Sequence, residues 1–570
     1  MTIAAGSCRC SPVRSSARRI QRQAPSSSST NASTCLITIP LISTMPRSRR
    51  CIGTWRSSRR PAHRSGSSTS TPSRRTGTRS QNETRPTPVR STSERETGED
   101  RHAMTHRELR RELIARCGYN LFELKPSEIC VDLLTDSGTT PLSEAQRKAV
   151  SRVLRKRRTN ERAYAGNESA ERLRAALREV FPDFPYVILV HQGRGAERVF
   201  CDGFIRSGLW TLPQDLWRQE TPHQKRRRPI VIGNAPFDTT RGNIEAAEAE
   251  IIDATTRLWH DPNTPLPFKG NVDVELLDRS LIRDGDRMAC TLITATCNTA
   301  AGQPVSTSNF GEVGLRTSSA GTLLVADIAR IFLNAFLNKK NLPYDVGITI
   351  QGIVKQSLTP VDLCLMSAKK DALSPGGGCI LMKDRALYEA LLPYAILSEG
   401  GKDYGGMTTE TMEAFGVGLK EGLNESFLEE YTGQVAYLGE GLKSAGWPMY
   451  EPFGGHAVYL DAGAALDHLA PDDLPGQACA VELYIECGVR ACELGTAMAG
   501  RDPKTGKNRH PRFEFVRLAL PRLRYTRDDL DRVIKGAERL WKRRRDIHGM
   551  MFVEPEPPGL RHFTATYKWK

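Results

Sequence analysis

Two short apolar runs end in ionisable side chains, and few folds accommodate that arrangement. Thr322-Leu-Leu-Val-Ala ends in Asp327-Ile328-Ala329-Arg330, and Val361-Asp-Leu-Cys-Leu-Met ends in Ser367-Ala368-Lys369-Lys370-Asp371. Each reads as a buried strand, so its charged residues fall at the C-terminal edge of a sheet, where open α/β sheets place ligands. An Asp, an Arg and a Lys in that order match the needs of pyridoxal phosphate. The Asp keeps the pyridine nitrogen protonated, the Arg steadies the ring's phenolate oxygen, and the Lys forms a Schiff base.

Other segments extend the pattern. Pro185-Tyr-Val-Ile-Leu-Val is a strand that feeds Gln192-Gly193-Arg194-Gly195-Ala196-Glu197 and then a helix. Small glycines at such a turn let backbone N–H groups approach a phosphate, although a Gly-x-Gly turn alone also serves close packing. Ile129-Cys-Val-Asp-Leu-Leu reads as a strand closed by the turn 135–140, and Pro229-Ile-Val-Ile-Gly as another leading to Phe237-Asp238. Helical pattern runs from Arg107 to Ala115, from Ser143, and as one long stretch from Thr408 to Lys443. Alternation of strands and helices through Leu363 predicts a mainly parallel sheet, with Ala457–Asp461 and Glu514–Leu520 as strands of a smaller α+β domain. Gly500–Lys507 fails as a P-loop: five residues separate its glycines, and Asn508 stands where a magnesium-binding Ser or Thr belongs.

The net charge of +16 suggests nucleic acid until it is located. Residues 1–103 hold nineteen Arg, no Lys and five acids, so +14 lies there and +2 is left for the remaining 467 residues. A nearly neutral body does not support nucleic-acid binding. The 1–103 segment is Ser/Arg/Pro-rich and too polar to offset its ordering entropy. It reads as disordered, as a transit-like peptide or basic arm, or as a start assigned upstream of Met104. No run approaches the ~20 apolar residues of a membrane span. The 14 cysteines show no metal-binding spacing, which predicts reduced thiols in a cytoplasmic protein with no membrane partner.

From about Arg107 to Lys570 the chain resembles the β-eliminating lyase family, which contains tryptophanase and tyrosine phenol-lyase. The resemblance rests on ordered motifs: LLTDSGT, AYAG, HQGRGAE, GNAPFDTTRG, AGQPVS, MSAKKDA, YGG, GGHAV, GRDPKTGK, VRLALPR and RHFTA. It implies the α/β fold-type I architecture of pyridoxal enzymes, with a mainly parallel seven-stranded sheet in the large domain. The expected division is 104–144 packing on the small domain, 145–425 as the large cofactor-binding domain and 426–570 as the small one. It implies a homotetramer with active sites shared across a dimer interface.

By the same resemblance, Lys370 is the Schiff-base lysine and the base for the Cα proton. Asp327, Arg330 and Asn298 contact the cofactor ring and its oxygen, and Phe237 stacks on it. Gln192, Gly193, Arg194 and Ser367 surround the phosphate. Arg517 binds the substrate carboxylate through a two-donor fork, with Thr135 and Ser137 in the same pocket. Tyr164 is the acid that protonates the leaving ring.

Substrate choice is argued from fewer positions. Tyrosine phenol-lyase has a Thr after the stacking Phe and an Arg after a Met-Glu pair, whereas this chain has Asp238 and Leu494. With His562 these match tryptophanase, and Asp238 and His562 are expected to bond the indole or a proton-carrying water. The expected reaction is β-elimination of L-tryptophan to indole, pyruvate and ammonia. Elimination from tyrosine or another β-substituted amino acid is the alternative, and a basic-tailed binding protein with a vestigial pocket is the non-enzyme rival. Several positions depart from the family: Arg162 replaces an acidic ligand of a potassium site near Gly138, Gly401 a bulky residue expected against substrate, Leu333 a Glu and Asn243 a His.

Overall fold

The computed structural model describes residues 104–155, 168–212, 228–296, 298–502, 505–557 and 559–570. Seven strands make the large sheet: β1 (Tyr186–Val190), β2 (Ile230–Gly233), β3 (Glu250–Asp253), β4 (Met288–Thr294), β5 (Leu323–Asp327), β6 (Leu363–Ser367) and β7 (Gly378–Met382). Their spatial order is β1-β7-β6-β5-β4-β2-β3. Pairing is parallel except around β7, which runs antiparallel to β1 and to β6.

The strands are apolar runs because helices cover both faces. In β1, Val187 and Leu189 join one core with Phe310, Val313 and Ile353 from helices Thr307–Ser319 and Ile350–Leu358. Ile188 and Val190 face the other core, with Val199, Phe200 and Leu391 from helices Gly193–Phe200 and Arg385–Ser398. A neighbouring three-stranded antiparallel sheet contains β8 (Ala457–Asp461), β9 (Cys492–Leu494) and β10 (Phe515–Ala519) in the order β9-β10-β8. Helices Glu425–Ser444, Pro475–Cys487 and Arg527–Lys542 share its core, which also takes in Ile114 of the first helix, His106–Arg116.

Two local expectations are corrected. Only Val131 and Asp132 of the segment 129–134 form a strand, pairing parallel with Val489 and Arg490. The expected helix over 408–443 is two helices, Thr409–Glu421 and Glu425–Ser444. Gly422 caps the first, and the Asn424 side chain accepts the Phe427 N–H at 2.9 Å to start the second, a local bond that competes with helix continuation.

Candidate active site

Five strands deliver their chemistry to one edge. Gln192, Gly193 and Arg194 follow β1, Phe237 follows β2, Asn298 follows β4, Asp327 ends β5 with Arg330 just beyond, and Ser367 ends β6 with Lys369 and Lys370 beyond. All of these line a single cavity together with Thr135, Ser137 and Arg517. The carboxyl edge of the sheet is thus the ligand-facing edge, as its topology requires.

The β1 end is shaped for an anion. Gly193 opens helix Gly193–Phe200, whose leading N–H groups have no intrahelical acceptors. A Cβ at Gly193 would stand 2.6 Å from Ser367 Cβ and 3.0 Å from Ser367 Cα, so only glycine lets these two segments meet. The Lys369 ammonium donates to Gln192 Oε1 at 3.4 Å beside them. Gly193→Ala should force the two backbones apart at about 1–3 kcal/mol. Its dissociation constant for pyridoxal phosphate is expected to rise roughly tenfold or more, as read by fluorescence titration.

The Lys370 ammonium lies 6.0 Å from the Phe237 ring centroid. Burial and the Arg330 cation push its pKa down to about 8, against the carboxylates of Asp136, Asp327 and Glu197. An amine in that range serves as nucleophile and base near neutral pH. Asp327 accepts the Ala329 N–H at 3.0 Å, which fixes its carboxylate. Sequence alone does not single out Glu197, although it ends the HQGRGAE motif. It accepts from Thr240 Oγ1 at 3.0 Å and Asn243 Nδ2 at 3.2 Å, and burial with repulsion from Asp327 raises its pKa to about 7. The departure at Asn243 therefore places a neutral donor on that acid.

At the opposite end, Arg517 Nη1 donates to Asn298 Oδ1 at 2.8 Å and Nη2 to the Leu134 carbonyl at 2.9 Å. Asn298 Oδ1 also meets His456 Nε2 at 3.0 Å, and Tyr459 Oη donates to the Asn298 carbonyl at 2.9 Å. Burial and neighbouring guanidinium groups hold His456 well below its usual pKa, so it is neutral and its Nε2 carries the donated proton. Two donors on Oδ1, from Arg517 and His456, set the orientation of the amide. Among the described residues, Asn298 Nδ2 and Arg517 Nε are then buried donors with no acceptor, and unmet donors in a cavity mark a ligand's place.

Asp238 and His562 do not line the cavity. They bond each other instead, His562 Nε2 to Asp238 Oδ2 at 3.2 Å, with both side chains buried. Register places Cys492 opposite Arg517 and Leu494 opposite Phe515, so Cys492 and Leu494 share one face of the sheet with Arg517. Their apolar cluster includes Phe515, Tyr459 and Leu134. Gly401 also lies outside the lining. Leu333 is buried, and its N–H donates to Asp371 Oδ2 at 2.9 Å. Tyr164 and Arg162 lie outside the described residues, and among the described ones no group of three His, Cys, Asp or Glu could hold a metal ion.

The residues present fit pyridoxal phosphate. An anion cradle, an aromatic face, a carboxylate, a guanidinium, a buried amine and an unmet amide donor occupy one cavity. A family model described as β-eliminating lyase matches residues 132–535. A tyrosine phenol-lyase of Intrasporangium calvum is 38% identical over 466 residues, which is 82% of this chain and 92% of that protein. A tryptophanase of Salinibacter ruber is 37% identical over 462 residues, covering 81% and 92%. The fold is similar to that of a serine palmitoyltransferase from Sphingomonas wittichii, at 13% identity and a TM-score of 0.50, over 77% of this chain and 97% of the other.

Proposed function

Because the chain belongs to the β-eliminating lyase family, we propose that it cleaves L-tryptophan to indole, pyruvate and ammonia. It is a pyridoxal-phosphate-dependent carbon–carbon lyase of fold-type I. The cofactor, when bound, supplies an electron sink for a carbanion at Cα.

The chain's own residues supply the rest. Gly193, Arg194, Ser367 and Gln192 would hold the phosphate, Phe237 the ring face, Asp327 the ring nitrogen's proton, and Arg330 and Asn298 the ring oxygen. Arg517, already tied by two of its five N–H groups, would take the substrate carboxylate with Nε–H and those remaining, beside Thr135 and Ser137. That anchor sets Cα within reach of Lys370, whose amine takes the Cα proton. Tyr164 would donate a proton to the leaving carbon from the neighbouring subunit of a homotetramer. Asp238 and His562, bonded as a pair, would orient the pocket around the leaving ring.

The observation that favours tryptophan is Leu494, which shares the Arg517 face of the small sheet and stands outside the residues that line the cavity. Leu494 offers no partner to a phenolic oxygen, and burying that hydroxyl unpaired costs about 1–3 kcal/mol. The relatives named tyrosine phenol-lyase keep tyrosine as the competing substrate. The same reading divides the protein into 104–144 packed on the small domain, 145–425 as the large domain and 426–570 as the small one, acting in the cytoplasm. No helix among the described residues is long and apolar enough to cross a membrane. The decisive experiment supplies the protein and pyridoxal phosphate with tryptophan, tyrosine and S-substituted cysteines. Indole release should show the highest kcat/KM, and phenol release from tyrosine at equal or greater kcat/KM would overturn the assignment.

A further inference from the structure

The guanidinium of Arg330 is held before any ligand arrives. Its Nε donates to Asp136 Oδ2 at 2.9 Å and its Nη2 to Asp136 Oδ1 at 2.7 Å, a two-bond fork that fixes the plane of the group. The same carboxylate accepts Arg522 Nη1 at 3.0 Å, and Arg522 Nη2 donates to Asp371 Oδ1 at 2.7 Å. All four side chains are buried. The chain of contacts therefore joins four separate segments: the turn after Leu134, the end of β5, the end of β10 and the residue next to Lys370.

We propose that Asp136 is a positioning residue for the cofactor site. Its carboxylate locks two nitrogens of Arg330 so that Nη1 is left for the ring oxygen, and through Arg522 and Asp371 it couples the three-stranded sheet to cofactor binding. This rests on the assignment of Arg330 to the cofactor given above. Two cations, Arg330 and Arg522, share that one carboxylate, so its charge offsets part of theirs beside Lys370. The charges that act most strongly on the Lys370 amine are those of Arg330, Asp136, Asp327 and Glu197. Loss of the charge at position 136 leaves that amine beside less compensated guanidinium groups, and its protonated form is disfavoured.

The test uses the full protein with pyridoxal 5′-phosphate and no amino acid. Asp136→Asn keeps the shape and removes the charge, and Asp136→Glu restores the charge. The asparagine variant should bind the cofactor at least tenfold more weakly. The pH midpoint of the bound cofactor's absorption should also move about one unit or more toward acid. The glutamate variant should return that midpoint to the parent value. A parent-like dissociation constant and midpoint in Asp136→Asn would overturn the proposal. So would equal losses of affinity in both variants with no midpoint change, the mark of packing alone.

If the asparagine variant is insoluble, the parent protein decides. Cofactor loading should slow amide exchange across residues 520–524, which do not line the cavity, and unchanged exchange there overturns the coupling. Neither readout uses tryptophan. Failure to release indole would leave this proposal intact, and its own failure would leave the tryptophan reading intact.

Discussion

Lys370→Ala is expected to lower kcat for tryptophan cleavage by about a thousandfold or more, the scale set by removing a general base that is also the nucleophile. The cavity holds two lysines, and physical differences separate them. Lys369 donates to Gln192 at the phosphate end, and burial and Arg194 lower its pKa. Lys370 faces the Phe237 ring and the carboxylates of Asp327 and Glu197, with its pKa pushed down to about 8 by burial first and Arg330 second. At pH 8 about half of that amine is neutral and free to accept a proton. Borohydride reduction in the presence of pyridoxal phosphate should therefore label Lys370 in the parent protein and nothing in Lys370→Ala. Lys369→Ala should keep the label and lose mainly cofactor affinity. Label found at Lys369 instead would remove the basis of the mechanism.

How much can be read before folding follows from where the information lies along the chain. Asp327, Arg330 and Lys370 are legible from residues alone, because a strand buried on both faces has a short apolar signature and its charged end must meet solvent or ligand. Phe237, Asn298 and Arg517 become visible only through ordered motifs, since nothing in a lone Phe, Asn or Arg distinguishes a ligand contact from packing. Asp136, Glu197 and Arg522 sit inside or beside such motifs and still carry no legible role. Their partners are remote: Asp136 meets Arg330 and Arg522, which are 194 and 386 positions away, and no local period encodes such pairs. Asp238 and His562, expected to face the substrate, bond one another across 324 positions, a pairing that no local pattern encodes. The split of the 408–443 helix escapes a periodicity reading because Gly422 and Asn424 act as caps only where the chain is free to turn.

A second large effect concerns stability, and its sign is unusual. Glu493 and Glu514 are buried together at the start of the short helix Thr496–Ala499. Glu493 accepts the N–H groups of Ala497 and Met498 at 3.1 Å each, and Glu514 accepts the N–H of Thr496 at 2.9 Å. Burial, then repulsion from Glu514, raises the Glu493 pKa to about 8, and burial raises that of Glu514 to about 7. Both folded values exceed the unfolded carboxyl value of about 4.3, so between them the native state binds more protons than the unfolded chain. Linkage then requires stability to fall as pH rises through that window. Each carboxyl contributes a slope of about 1.4 kcal/mol per pH unit, and the whole loss is on the order of a few kcal/mol. Glu197, raised to about 7, adds a smaller slope of the same sign. Glu514→Gln keeps an acceptor for Thr496, removes one charge and offers Glu493 a donor. The urea midpoint of the variant should therefore fall less steeply than the parent's from about pH 6 to 8, with Glu197 and the still-buried Glu493 supplying the remaining slope, and should exceed the parent's midpoint at pH 8. Parallel profiles for the two proteins would mean that the two carboxyls do not hold a proton together in the folded state.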